Sequence, residues 1–127
     1  MYQLFNVSRE ITLNSKGKLY DAWYVHDQEI CTARWLQYTG ELEGMVVYTD
    51  SVGSNRLVSG AGILQCDSRA LFEPDKKIRG YIYLRYYNVT KGKLRAIGGR
   101  IYNMKKFEDK FIGKGKIYSN GGSQVWK

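Results

Sequence analysis

The sequence predicts an all-β domain, a single up-and-down antiparallel β-barrel of about eight strands with little helix, filling residues 1–127. Three observations lead there. Short runs rich in Tyr, Val, Ile and Trp alternate with clusters of Gly, Asn, Ser and Asp that act as turns. No long segment repeats its apolar residues at the 3.6-residue period of an amphipathic helix. Glycines fall inside strand-like runs, as at Gly60 and Gly62, Gly98-Gly99, and Gly113 and Gly115, where a curving sheet bends tightly.

Taken in order, strands are expected near Tyr2–Val7, Leu19–His26, Glu29–Tyr38, Leu42–Tyr48, Arg56–Cys66, Ile78–Asn88, Lys93–Met104, Phe111–Tyr118 and Ser123–Trp126. Ser15–Lys18, Thr49–Asn55 and Ser119–Ser123 carry turn chemistry. Asn120-Gly121 is the strongest short-range hairpin signal in the chain, because both residues tolerate positive φ. Thr90-Lys91-Gly92 fits a three-residue hairpin loop with Gly92 in the left-handed position. That loop would set Tyr87 opposite Arg95, Arg85 opposite Ile97 and Tyr83 over Gly99. Asp67–Glu73 has room for one helical turn before Pro74, the only proline. There is no internal repeat and no domain linker.

The formal net charge is +8, unevenly divided. Residues 1–75 hold 6 Lys/Arg against 10 Asp/Glu, net −4, and residues 76–127 hold 14 against 2, net +12. A basic half of this kind attracts phosphates, polyanions or an anionic membrane face. Lys76-Lys77, Lys91, Lys93, Lys105-Lys106 and Lys110 lie near expected loops and read mostly as turn punctuation. The strand arginines are the stronger ligand candidates. Two cysteines, Cys31 and Cys66, make neither a disulfide framework nor a zinc site, and read as buried free thiols. No apolar run reaches the ~18 residues of a membrane span, and no secretory leader is visible.

The segment Arg79-Gly-Tyr-Ile-Tyr-Leu-Arg-Tyr-Tyr-Asn88 carries the candidate site. With period two, Arg79, Tyr81, Tyr83, Arg85 and Tyr87 share one face, and Ile82, Leu84 and Tyr86 the other. Guanidinium groups fork onto phosphate and aromatic rings stack on bases. Tyr81, Tyr83, Arg85, Tyr87, Arg95 and Arg100 are therefore the candidate ligand-binding residues. Arg100 joins that face only if Gly98-Gly99 makes a bulge. The competing reading is a solvated sheet face, since Tyr favours strands.

Catalytic chemistry is hard to assemble. His26 is the only histidine, and its neighbour Asp27 would point to the opposite face of a strand. Glu41 and Glu43 read as a charged strand start. No base–nucleophile pair and no metal-ligand spacing emerges. The expectation is a binding protein, not an enzyme, with neither cofactor nor metal.

The order of Leu19-Tyr-Asp-Ala-Trp23, Ala33-Arg-Trp-Leu-Gln37, Ser59-Gly-Ala-Gly-Ile-Leu64, Tyr83-Leu-Arg-Tyr-Tyr-Asn88, Gly98-Gly-Arg-Ile-Tyr102 and Ile112-Gly-Lys-Gly-Lys-Ile117 resembles the β-barrel sensor domain of bacterial anti-phage (CBASS-type) cyclic-oligonucleotide-sensing membrane effectors. The resemblance implies an eight-stranded barrel that binds a cyclic dinucleotide and assembles into homo-oligomers that damage the inner membrane. Membrane contact would run through N-terminal helices absent from this chain. Met1–Thr12 would then lie near the junction, at the cytoplasmic face of the inner membrane. In that reading Tyr83 and Tyr87 stack on bases while Arg85 and Arg95 hold phosphates. The alternatives are a β-barrel that binds single-stranded nucleic acid on the same face, and a structural or protein-interaction module.

Overall fold

Tyr81–Leu84 forms a strand, as its alternation predicts, but both of its faces are buried. In the computed structural model, which describes residues 25–40, 42 and 44–127, this strand is the centre of an open mixed sheet and no barrel closes. Among the described residues helix outweighs strand, 41% against 21%, which overturns the all-β expectation. The elements are α1 (Asp27–Thr39), β1 (Val47–Tyr48), α2 (Ser51–Ala61), β2 (Cys66–Asp67), β3 (Tyr81–Leu84), α3 (Tyr86–Lys91), β4 (Lys93–Arg95), β5 (Ile101–Asn103), β6 (Lys116–Ser119) and β7 (Gln124–Trp126). Two 3₁₀ segments, Ala70–Phe72 and Met104–Phe111, complete the set. The strands expected at Tyr2–Val7 and over most of Leu19–His26, and the Glu41 and Glu43 carboxylates, lie outside the described residues.

The main sheet runs β2-β1-β3-β7-β6. β1 is parallel to β2 and to β3, while β7 is antiparallel to both of its neighbours, β3 and β6. Val47, Tyr81, Tyr83 and Val125 face one core with Ala33 and Leu36 of α1 and Leu57 of α2. Tyr48, Ile82 and Leu84 face a second core with Ala70, Leu71, Leu94 and Phe107. Strands covered on both faces are what crossover connections produce. The alternation along β3 is thus real, and both of its phases are core.

The segment expected as strand Glu29–Tyr38 is helix α1. Its buried residues are Glu29, Thr32, Ala33 and Leu36, spaced at a helical period. Two of the four are polar, so an apolar-only search misses the stripe. Gly40 ends the helix, its N–H donating to the Leu36 carbonyl.

Helix α2 replaces the expected Thr49–Asn55 turn and most of the Arg56–Cys66 strand. Asp50 is its N-cap, accepting from the Gly53 N–H at 2.8 Å. Gly62 ends it in the left-handed conformation, φ 69°, donating to the Leu57 and Val58 carbonyls. Gly53 is required by space, because a Cβ there would sit 1.9 Å from Thr49 Oγ1.

Gly92 has the expected positive φ, 65°, but it caps α3 and does not turn a hairpin. The proposed pairing of residues 78–88 with 93–104 therefore does not form. Lys93–Arg95 pairs instead with Ile101–Asn103, Leu94 opposite Tyr102. Two expectations do hold: Ser119 and Gln124 close a β6–β7 hairpin around Asn120-Gly121, and a 3₁₀ turn occupies Ala70–Phe72 ahead of Pro74. Cys31 is exposed and Cys66 half-buried, both free, so the expectation of two buried thiols fails for Cys31.

Candidate functional site

The six candidate residues do not converge on a ligand site. Tyr81, Tyr83, Arg85 and Tyr87 are at most 2% exposed. Tyr83 donates its hydroxyl to the Glu29 carbonyl at 2.9 Å, and burial, with the Glu29 charge second, pushes its pKa far above the ordinary tyrosine value. β3 stops at Leu84, so Arg85 caps α3 and Tyr87 lies on that helix. Arg95 is half-buried, its guanidinium 3.1 Å from where a Gly99 Cβ would stand. Arg100 is exposed, in the β4–β5 turn region, and donates to the Tyr102 hydroxyl at 3.4 Å, which raises its pKa.

Arg85 belongs to a buried network at the carboxyl ends of β1 and β3. In open α/β sheets this edge is the usual ligand crevice, where successive connections leave for opposite faces. Here the connection through α2 packs on one core and the Ala70–Phe72 connection on the other. The crevice is filled by the protein's own groups. Asp50 Oδ1 accepts from Arg85 Nε at 3.0 Å and from Gly53 N, and Oδ2 accepts from Asn88 Nδ2 at 2.9 Å and Arg95 N at 3.0 Å. Asn88 also accepts the Arg85 N–H and donates to the Lys93 carbonyl. A second pair lies beside it: Glu29 Oε2 takes Arg56 Nε at 2.7 Å and Oε1 takes the Tyr86 N–H at 3.0 Å. Both carboxylates are fully buried and multiply bonded. Their geometry is that of a scaffold joining α1, α2, α3 and β4. Among the described residues no group of His, Cys, Asp and Glu could hold a metal ion.

One group of exposed cations lies at the opposite end of β3. Lys76, Lys77 and Arg79, all exposed, lead into the amino end of β3 and line an open groove of about 510 Å³ with Ile78. A second groove of about 280 Å³ is lined by Phe72, Tyr102, Lys106 and Phe107, and shares the Pro74, Asp109 and Lys110 walls with the first. Phe72, Tyr102 and Phe107 form one aromatic cluster, with centroids 5.3 to 5.8 Å apart. The ammonium of Lys106 lies 4.7 Å from the Tyr102 ring centre.

Lys110 is buried and holds this surface together. Its ammonium donates to the carbonyls of Glu73, Pro74 and Lys76, at 2.6 Å for Lys76. It thereby pins the loop that carries the groove's cations to the 3₁₀ segment beneath. Lys110 was expected to punctuate a turn, and it is an internal clamp.

Arg85, expected on the strand, is buried against Asp50, whereas Lys76 and Lys77 line one open groove and Lys106 the aromatic groove beside it. The signal that could have found them is the +12 charge of residues 76–127, read together with the aromatics Tyr102 and Phe107. No protein family, curated protein or solved structure matches this chain. No helix among the described residues is long and apolar enough to cross a membrane.

Proposed function

We propose that this protein binds nucleic acid, without catalysing a reaction on it, through the cationic double groove beside the Met104–Phe111 segment. The observation that carries the reading is the adjacency of the two grooves, which share Pro74, Asp109 and Lys110, with Lys76, Lys77 and Arg79 along one and Lys106 in the other. Lysines and arginines held along a groove replace condensed counterions on a phosphate backbone. Asp75 and Asp109 also line the larger groove, so cations outnumber anions there without excluding them. The non-catalytic part rests on the buried carboxylates, whose oxygens are committed to structural donors. A cyclic dinucleotide is the second ligand to test; the row from Tyr81 to Tyr87 offers it no cavity, because those side chains pack into the core.

The test is fluorescence anisotropy with a labelled oligonucleotide across a salt series. Each neutralised phosphate contributes about 0.7 to 0.9 to the slope of log K against log salt. Changing Lys76 and Lys77 together to Ala is expected to lower that slope by about 1.4 to 1.8. An unchanged slope and affinity in the double variant would remove the groove from the account. Saturable binding of a cyclic dinucleotide that ignores these lysines would favour the other ligand.

A further inference from the structure

We infer that the aromatic end of the double groove makes its ligand single-stranded, with one unpaired base stacked on Tyr102. This inference rests on the nucleic-acid reading above and narrows it.

The three rings of the cluster are not equivalent. Phe107 is buried, with its ring edge-on to both Phe72 and Tyr102. Tyr102 is half-buried and carries the exposed Lys106 ammonium over its ring at 4.7 Å. The same ammonium lies 5.9 Å from the centre of the Phe107 ring, and Tyr102, the more exposed of these two rings, offers the outward face. Arg100 approaches the hydroxyl of the same ring. A base laid on that outward face meets a π-surface backed by two further rings. The displaced Lys106 ammonium and the neighbouring Arg100 are then positioned for the flanking phosphates. The adjoining groove, which shares the Pro74, Asp109 and Lys110 walls, places Lys76, Lys77 and Arg79 where the backbone would run on. A duplex keeps its base faces stacked on one another and offers its phosphates, sugars and base edges, so it gains the cations and not the ring. Stacking platforms beside cationic grooves bind single strands with little sequence preference.

The experiment compares the full chain with a labelled single-stranded oligonucleotide of about 12 nucleotides, within the ~4–16 nucleotide range of such sites, with the matching duplex and with inorganic polyphosphate. Tyr102→Leu keeps an apolar side chain against Phe72 and removes the π-face, and Tyr102→Phe keeps the face. The expected result is a roughly tenfold loss of single-strand affinity in Tyr102→Leu, none in Tyr102→Phe, and no change for duplex or polyphosphate in either. Unchanged single-strand affinity in a folded Tyr102→Leu, while Lys76→Ala/Lys77→Ala still weakens all three ligands, overturns the stacking inference and leaves the groove standing. Loss of no ligand in the lysine variant overturns the groove reading itself. A measurement on the unaltered protein guards against misfolding of the variants. Photocrosslinking to a bromouracil-substituted oligonucleotide, read by mass spectrometry, is expected to label Tyr102, and labelling confined to other residues overturns the stacking inference.

Discussion

Asp50 shows how one side chain can decide a region of the structure. Its two oxygens accept from Gly53, Arg85, Asn88 and Arg95, residues on α2, α3 and β4 or at their ends. Removing one partner of a buried ion pair strands the other charge, at about 3–5 kcal/mol. Asp50→Ala is therefore expected to lower the unfolding free energy, read from urea denaturation, by an amount of that order. A companion Arg85→Met change, which removes the stranded charge, should recover part of the loss. Tyr83 gives a prediction in pH. Burial raises its pKa above the ordinary tyrosine value of 10.0, so the neutral phenol is the form the fold holds. Its contribution is complete below pH 10 and is lost as pH rises through the folded value. Cys66 behaves alike, since burial pushes its thiol up from 9.0 to about 11. Stability is thus expected to decline above pH 9. Tyr83→Phe should be less stable at neutral pH, having lost the bond to Glu29, yet show a shallower alkaline decline in denaturant titrations.

Helix α2 is held at its start by a close approach. The Thr49 hydroxyl is buried with no hydrogen-bond partner among the described residues, and it stands where a Gly53 Cβ would go. Gly53→Ala is expected to destabilise by clash, by about 1–3 kcal/mol as overpacking does. Thr49→Ala removes the clashing atom, so the double variant should be more stable than the sum of the singles, measured as a double-mutant cycle. The β6–β7 hairpin is fastened in a different way. Asn120 Nδ2 donates to the Gln28 carbonyl and to Thr32 Oγ1, while its Oδ1 accepts from the Gly122 and Ser123 N–H groups. Asn120→Asp keeps the acceptor side and loses both donors to α1. Hydrogen exchange should accelerate at the start of α1 and in the hairpin before it changes in β3.

For the whole molecule, charge and core occupy different places. The sheet and its two cores bury the side chains of Tyr81, Tyr83, Arg85 and Tyr87, and Lys76, Lys77, Arg79 and Lys106, left outside, line the grooves beside the Lys110 clamp. A ligand that binds only the folded state raises its stability by mass action, by ~2.7 kcal/mol at a hundred times Kd. A saturating single-stranded oligonucleotide is expected to raise the melting temperature at low salt, with the shift shrinking as salt screens the groove. An equal shift in the Lys76→Ala/Lys77→Ala variant would place the binding elsewhere.

Local chemistry settled several features before any tertiary contact. Asn120-Gly121 makes a hairpin because its backbone preferences suit one. Gly92 takes positive φ because it lacks a Cβ. The alternation of Tyr81, Ile82, Tyr83 and Leu84 divides the strand between two sides, and residues 76–127 carry the positive charge whatever their fold. Periodicity states which side chains share a side; it does not state what covers that side. Layers built from α1 and α2 above and the two 3₁₀ segments below turned both sides of β3 into core. Helix α1 was hidden because half of its buried stripe is Glu29 and Thr32. Glu29 becomes an inside residue only when Arg56 and Tyr86, distant in sequence, arrive to satisfy it. The fate of each cation followed from the same long-range packing: Arg85 met Asp50 in the interior, Lys110 met three carbonyls, and Lys76, Lys77 and Lys106 met water.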